Sequence, residues 1–275
     1  MAAFPERIVL GRTGLQVAKL GLGSSFKAPT HSYLEAFDRG VNYFYWGSVR
    51  RDGMGAAIRE IAKRDREGLA VVLQSYARVG GLLTHFVERG LRKLEIDHAE
   101  VLLLGWHNKA PSRGVLDAAL ELKEKGRIGA IALSTHHRRL LPTLLDDETY
   151  SAWHVRYNAV HRGAEHEVFP ALAEREAAKR PGMITYTTTR WGDLVNPAKM
   201  PEGVATPTGT DCYRFALSHP QVDMCLAGPD NVEHMKQALA ALELGPMDEG
   251  ELAWMRGIGD HIYASATGAS LMDGK

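Results

Sequence analysis

A (β/α)8 barrel is the fold class that this 275-residue sequence predicts, and three observations predict it. Short apolar runs alternate eight times with stretches of helical period. Most of those runs are continuously apolar, as strands covered on both faces of a parallel sheet must be. No Gly-x-Gly-x-x-Gly opens a helix after a strand, which favours a closed barrel over an open, doubly wound sheet.

Each element follows from local signals. Residues 7–18 read as a hairpin, with Gly11 and Gly14 about its turn. Residues 19–24 are the expected first barrel strand, and 31–40 a helix stopped by Gly40. The second strand, 41–45, runs into a loop holding Tyr45, Trp46, Arg50 and Arg51. That loop either delivers chemistry or closes the barrel as an aromatic plug. Expected pairs of strand and helix then follow at 69–76 and 82–94, 100–105 and 114–125, and 128–134 and 138–145. Before them, 54–64 is the helix that follows the second strand. The remaining expectations are strands at 150–158, 183–186 and 222–226, with helices at 165–179, 211–218 and 231–244. Residues 187–208 read as a long loop, 248–264 as an extra C-terminal helix and 266–275 as a frayed tail of one single-domain chain.

Composition bounds the function. The chain is 45% hydrophobic and 24% charged, ordinary for a soluble protein. Its 33 Lys plus Arg balance 33 Asp plus Glu, which argues against a nucleic-acid partner. The two cysteines, Cys212 and Cys225, make neither a disulfide framework nor a Cys-x-x-Cys motif. The start lacks the pattern of a signal peptide, and no apolar run reaches the roughly 18 residues of a membrane span. A cytoplasmic protein acting on a small molecule, away from membranes, is the expectation.

Active sites of such barrels lie at the carboxyl ends of the strands. That rule selects Tyr45 to Arg51, Tyr76, 105–108, 134–137, 154–158, 186–191 and 228–231 as the places to look. His107, His136, His137 and His154 fall among them. Three imidazoles would suit zinc, but no ligand spacing such as His-Glu-x-x-His is present, and no metal is expected.

Several segments resemble the aldo/keto reductase superfamily. They are 7–23, with Leu10-Gly-Arg-Thr-Gly14 and Leu20-Gly-Leu-Gly23, then 36–44, 91–106, 123–134, 156–162 and 226–242. The similarity runs through nearly the whole chain in order. It implies the barrel with an N-terminal hairpin, and a nicotinamide dinucleotide at the strand ends.

The same resemblance implies a catalytic tetrad of Asp, Tyr, Lys and His, and all four places are substituted. The Asp place is Tyr45, the Tyr place Arg50, the Lys place Tyr76 and the His place Gly105. Arg50 cannot act as the acid, because a guanidinium keeps its proton up to a pKa of about 12 or more. A substitute donor would be Tyr45, Tyr76 or His107. A tyrosine beside Arg50 would be expected to ionise more easily, and Arg50 could clamp an anionic ligand.

Cofactor contacts carry over in part. Tyr186 stands where the family stacks an aromatic ring on nicotinamide, Ser134 matches a cofactor contact, Thr135 replaces the usual Asn and His154 the usual Gln. Thr187, with Arg190, offers groups for a pyrophosphate, and Gly228 opens the phosphate loop. Asp230 stands where Arg often pairs with the 2′-phosphate, so NAD is expected over NADP. Alternatively, Asp230 or Asn231 merely caps the last barrel helix. The readings left open are an NAD(P)-linked oxidoreductase with a rebuilt site, a non-catalytic dinucleotide- or ligand-binding protein, and a non-redox barrel acting on an anionic small molecule.

Overall fold

The structure is a computed structural model that describes residues 3–24, 27–47 and 52–265. Arg50 and the 266–275 tail lie outside the described residues. The chain opens with a two-stranded antiparallel hairpin, β1 (Ile8–Val9) and β2 (Gln16–Val17), joined through a 3-10 turn at Gly11–Thr13. Eight parallel strands then close into a barrel. They are β3 (Leu20–Gly23), β4 (Tyr43–Trp46), β5 (Ala70–Ser75), β6 (Ala99–Leu104), β7 (Ile128–Ser134), β8 (Ala152–Arg156), β9 (Gly182–Tyr186) and β10 (Met224–Ala227). Closure is made where β10 pairs with β3, Cys225 opposite Leu20 and Ala227 opposite Leu22.

Outside lie α1 (Thr30–Asp38), α2 (Gly53–Arg64), α3 (Gly80–Leu94), α4 (Arg113–Glu124), α5 (Ala164–Glu167), α6 (Phe169–Ala173), α7 (Gly209–Leu217), α8 (Val232–Leu244) and α9 (Glu249–Ser265). No described helix is long and apolar enough to cross a membrane.

Two apolar cores follow from the period of the strands. Residues such as Phe44, Val71, Leu73, Leu102 and Ile131 point outward under the helices. Their alternates Tyr43, Ala70, Val72, Val101, Leu103, Ala130, Ala132, Ile184 and Met224 fill the barrel. The hairpin stoppers the amino-terminal end, where Leu10 and Val17 join the interior cluster. Gly11 makes this approach possible: at φ +48 it lies so close to β9 that a Cβ would come within 2.1 Å of the Gly182 nitrogen. Asn42 ties hairpin to barrel, its amide donating to Gln16 O at 2.9 Å and its oxygen accepting from Ala18 N at 3.1 Å.

The expected elements differ from the structure in two places. The 165–179 helix is instead the short α5 and α6 followed by a 3-10 turn at Ala177–Lys179. Pro170 has no N–H for a continuous helix, and it sits in the first turn of α6. The 138–145 helix is two 3-10 turns, Arg138–Leu140 and Pro142–Leu144, again divided at a proline. β7 is therefore followed by no α-helix before β8.

Candidate active site

At the carboxyl end of the barrel the strands open into a cavity of about 760 Å³. The inward alternation carries Tyr45, Gln74, Ser134, His154 and Tyr186 to its floor and walls. From there it extends under Thr187–Thr189 and Trp191 to Gly228, Asp230, His234 and Gln237 at the start of α8. It also reaches Gly209 and Tyr213 of α7.

Tyr45 lies beside the barrel axis, its hydroxyl donating to Gln74 Oε1 and its ring 6.0 Å from that of His154. Burial raises its pKa, with Tyr76, Tyr186 and Tyr43 adding to the effect. These surroundings hold the phenol protonated; the expected easing of ionisation by Arg50 lies outside the described residues. Burial also pushes the Tyr186 phenol up to about 12. His154 is buried, lies 3.3 Å from the Tyr43 hydroxyl through Nε2, and is pushed down to about 3 by desolvation. It is a neutral hydrogen-bonding group here, not an acid.

His107 and Thr135 are placed differently from the expectation that each serves the site: neither lines the cavity. The Arg78 guanidinium donates to His107 Nε2 at 3.0 Å, which makes Nε2 an acceptor and the imidazole neutral. Burial, and then Arg78, push His107 down to about 4, so it has no proton to give near neutrality. Thr135 turns its hydroxyl into loop contacts, accepting from His137 N at 2.8 Å and donating at 3.4 Å to Asn108 Oδ1 of the loop after β6. Ser134 reaches the cavity, but its oxygen already accepts from Trp106 N at 2.9 Å.

Tyr76 lines the mouth and is 59% exposed, within reach of solvent protons. Thr187 holds φ +59, and Arg190 and Trp191 are also left-handed, which turns the segment back over the cavity. Arg190 is buried on Asp193, whereas Thr188 Oγ1 is buried without a hydrogen-bond partner. At the far end Asn231, not Asp230, caps α8, accepting from His234 N at 2.8 Å. Asp230 instead accepts from Lys27 N at 3.1 Å and keeps its place on the cavity edge. Among the described residues no three His, Cys, Asp or Glu side chains gather as a metal site.

Residue-level reading of the sequence missed Gln74 and Arg78. Gln74 had a signal: it is the polar residue among the inward positions of β5, the others being Ala70 and Val72. Arg78 donates to Tyr76 O at 3.0 Å, Gly105 O at 3.1 Å and Trp106 O at 2.6 Å, bridging the loops after β5 and β6. It holds Trp106 in a left-handed conformation at φ +54, with its indole 5.2 Å from the His136 ring.

The fold and site together define a (β/α)8 barrel stoppered by a hairpin, with an extended ligand cavity at its carboxyl face. Among solved structures the chain is similar to the aldo-keto reductase AKR11C1 from Bacillus halodurans, in holo and apo forms. Each of these is 19% identical, covers 92% of this chain and 95% of the other, and has a TM-score of 0.74. An aldo/keto reductase from Klebsiella pneumoniae in complex with NADP and acetate is 18% identical, with 91% and 94% covered and a TM-score of 0.72. No family profile and no curated protein matches the sequence. The fold is that of the aldo-keto reductases.

Proposed function

We propose that the cavity takes a nicotinamide dinucleotide and that the protein is an oxidoreductase of aldo/keto reductase type with a rebuilt reactive centre. The observation that carries this is the run of the cavity, unbroken from Tyr45 at the barrel axis past Tyr186 to the start of α8. Its volume lies in the range of about 300–1,000 Å³ usual for ligand pockets. Tyr186 offers a ring to nicotinamide, the unpartnered Thr188 hydroxyl a contact to the linking phosphates, and His234 and Gln237 polar groups to the adenosine end. One structural neighbour is described with NADP. When bound, the reduced cofactor supplies hydride to a carbonyl carbon.

The described lining contains no Lys or Arg, and Asp230 repels a 2′-phosphate, which supports NAD over NADP. Tyr45, at the axis, stands in the proposed place of the Asp; Tyr76, at the mouth, stands in that of the Lys and Gly105 in that of the His. The proton for a developing alkoxide comes from Tyr45, once its hydroxyl turns away from Gln74 Oε1, or, through solvent, from the exposed Tyr76. With Tyr45 made a poorer acid, turnover is slow, since general acid catalysis is worth about 10²–10⁴-fold. The same observation favours a second reading, a dinucleotide-binding protein without turnover.

Titrating NADH and NADPH against the emission of Trp106 and Trp191 at the mouth separates these readings. Saturable NADH binding with oxidation in the presence of a carbonyl panel supports the oxidoreductase. Binding without oxidation supports the second reading, and binding of neither nucleotide contradicts both.

A further inference from the structure

We propose that Gln74 recognises the reacting end of the ligand, its carboxamide N–H groups donating to a neutral carbonyl or hydroxyl oxygen at the barrel axis. This rests on reading the cavity as the substrate and cofactor site. Gln74 is the last inward residue of β5, above Val72, and it lines the cavity wall. A carboxamide offers one acceptor oxygen and two N–H donors. The Tyr45 hydroxyl, kept protonated by burial, donates to Oε1, which turns Nε2 away from the phenol. Nε2 makes no hydrogen bond within the described residues, so its donors are left for a ligand.

Two glycines leave room for that orientation. A Cβ at Gly47 would lie 2.9 Å from the Tyr45 hydroxyl oxygen and 3.1 Å from Gln74 Oε1. A Cβ at Gly105 would lie 2.7 Å from Gln74 Nε2 and 2.8 Å from Tyr76 Cε1. The space beside Gly105 is thus filled by the amide and the Tyr76 ring, and any larger residue there must displace them. The atoms in the way are the far ends of side chains, so Gly105→Ala moves the amide without breaking the barrel. A neutral donor, in a lining whose described residues include no Lys or Arg, favours a neutral oxygen over a carboxylate.

The test measures binding of benzamide and of benzoate to the full chain, alone and with NADH, by ligand-observed magnetic resonance. Wild type is expected to prefer benzamide. Gln74→Glu removes the donors at nearly constant shape, Gln74→Met removes them without adding charge, and Gly105→Ala displaces them with Gln74 kept. Each is expected to weaken benzamide about tenfold, the loss of one net hydrogen bond. Benzamide binding unaltered in the variants, a wild-type preference for benzoate, or no wild-type binding of benzamide would each overturn the proposal. Failure of NADH to bind contradicts the dinucleotide reading instead, and the benzamide series without nucleotide still decides the role of Gln74.

Discussion

At the barrel axis, chemistry is set by groups that burial keeps neutral. His154 is the sharpest case, held at about 3 against an ordinary 6.5. Between those values the unfolded chain takes up a proton that the folded chain refuses, so unfolding is favoured. The stability this histidine confers is therefore full above about pH 6.5 and is lost as pH falls toward 3. His154→Gln should flatten the fall of Tm between those limits, and a scan of Tm against pH reads it. Asp230 makes a second prediction. Asp230→Asn removes a charge from the cavity edge and should raise NADPH affinity relative to NADH by roughly three- to tenfold at low salt, shrinking as salt is added. Parallel fluorescence titrations measure it. The strand-end rule led from sequence to Tyr45, Ser134, His154 and Tyr186, all of which line the cavity. It also led to His107 and Thr135, which do not. Their side chains turn into loop hydrogen bonds that depend on Arg78 and Asn108, and strand parity carries no information about such contacts.

Among the elements, the loops after β5 and β6 act as one unit because Arg78 joins them. All four terminal N–H groups of its guanidinium have acceptors in reach: the carbonyls of Tyr76, Gly105 and Trp106, with His107 Nε2. Arg78→Ala should speed amide exchange across 105–108. Arg78→Lys should not restore protection, because an ammonium cannot reproduce the fork. Hydrogen exchange read by mass spectrometry compares the two. Two strands further round from β6, α9 lies against the loop after β8, and a Cβ on Gly259 would come within 2.0 Å of Ala159 O. That obstacle is backbone, so Gly259→Ala should cost about 2 kcal/mol or more, measured by urea unfolding. Element boundaries read from periodicity were close where a capping residue starts a helix, as Asn231 does for α8. They failed at Pro142 and Pro170, where apolar spacing continued past a residue that cannot.

For the whole molecule, the barrel divides stability from function between its two ends. The hairpin, with Leu10, Gly11 and Val17, fills the amino-terminal end, and the cavity opens at the other. The fold was legible because buried parallel strands need continuous apolar runs, and eight of them leave few topologies. The reactive centre was legible only as a set of places. The pairing of Tyr45 with Gln74, across 29 residues of sequence, arises from the register of β4 on β5, which no local signal in either strand specifies. Whether that centre serves a nicotinamide dinucleotide is tested most directly by a crystal structure of the protein grown with NAD. The nicotinamide is expected against Tyr186 and the adenosine beside Asp230, His234 and Gln237. Nucleotide bound elsewhere, or a cavity left without it at saturating concentration, would contradict that reading.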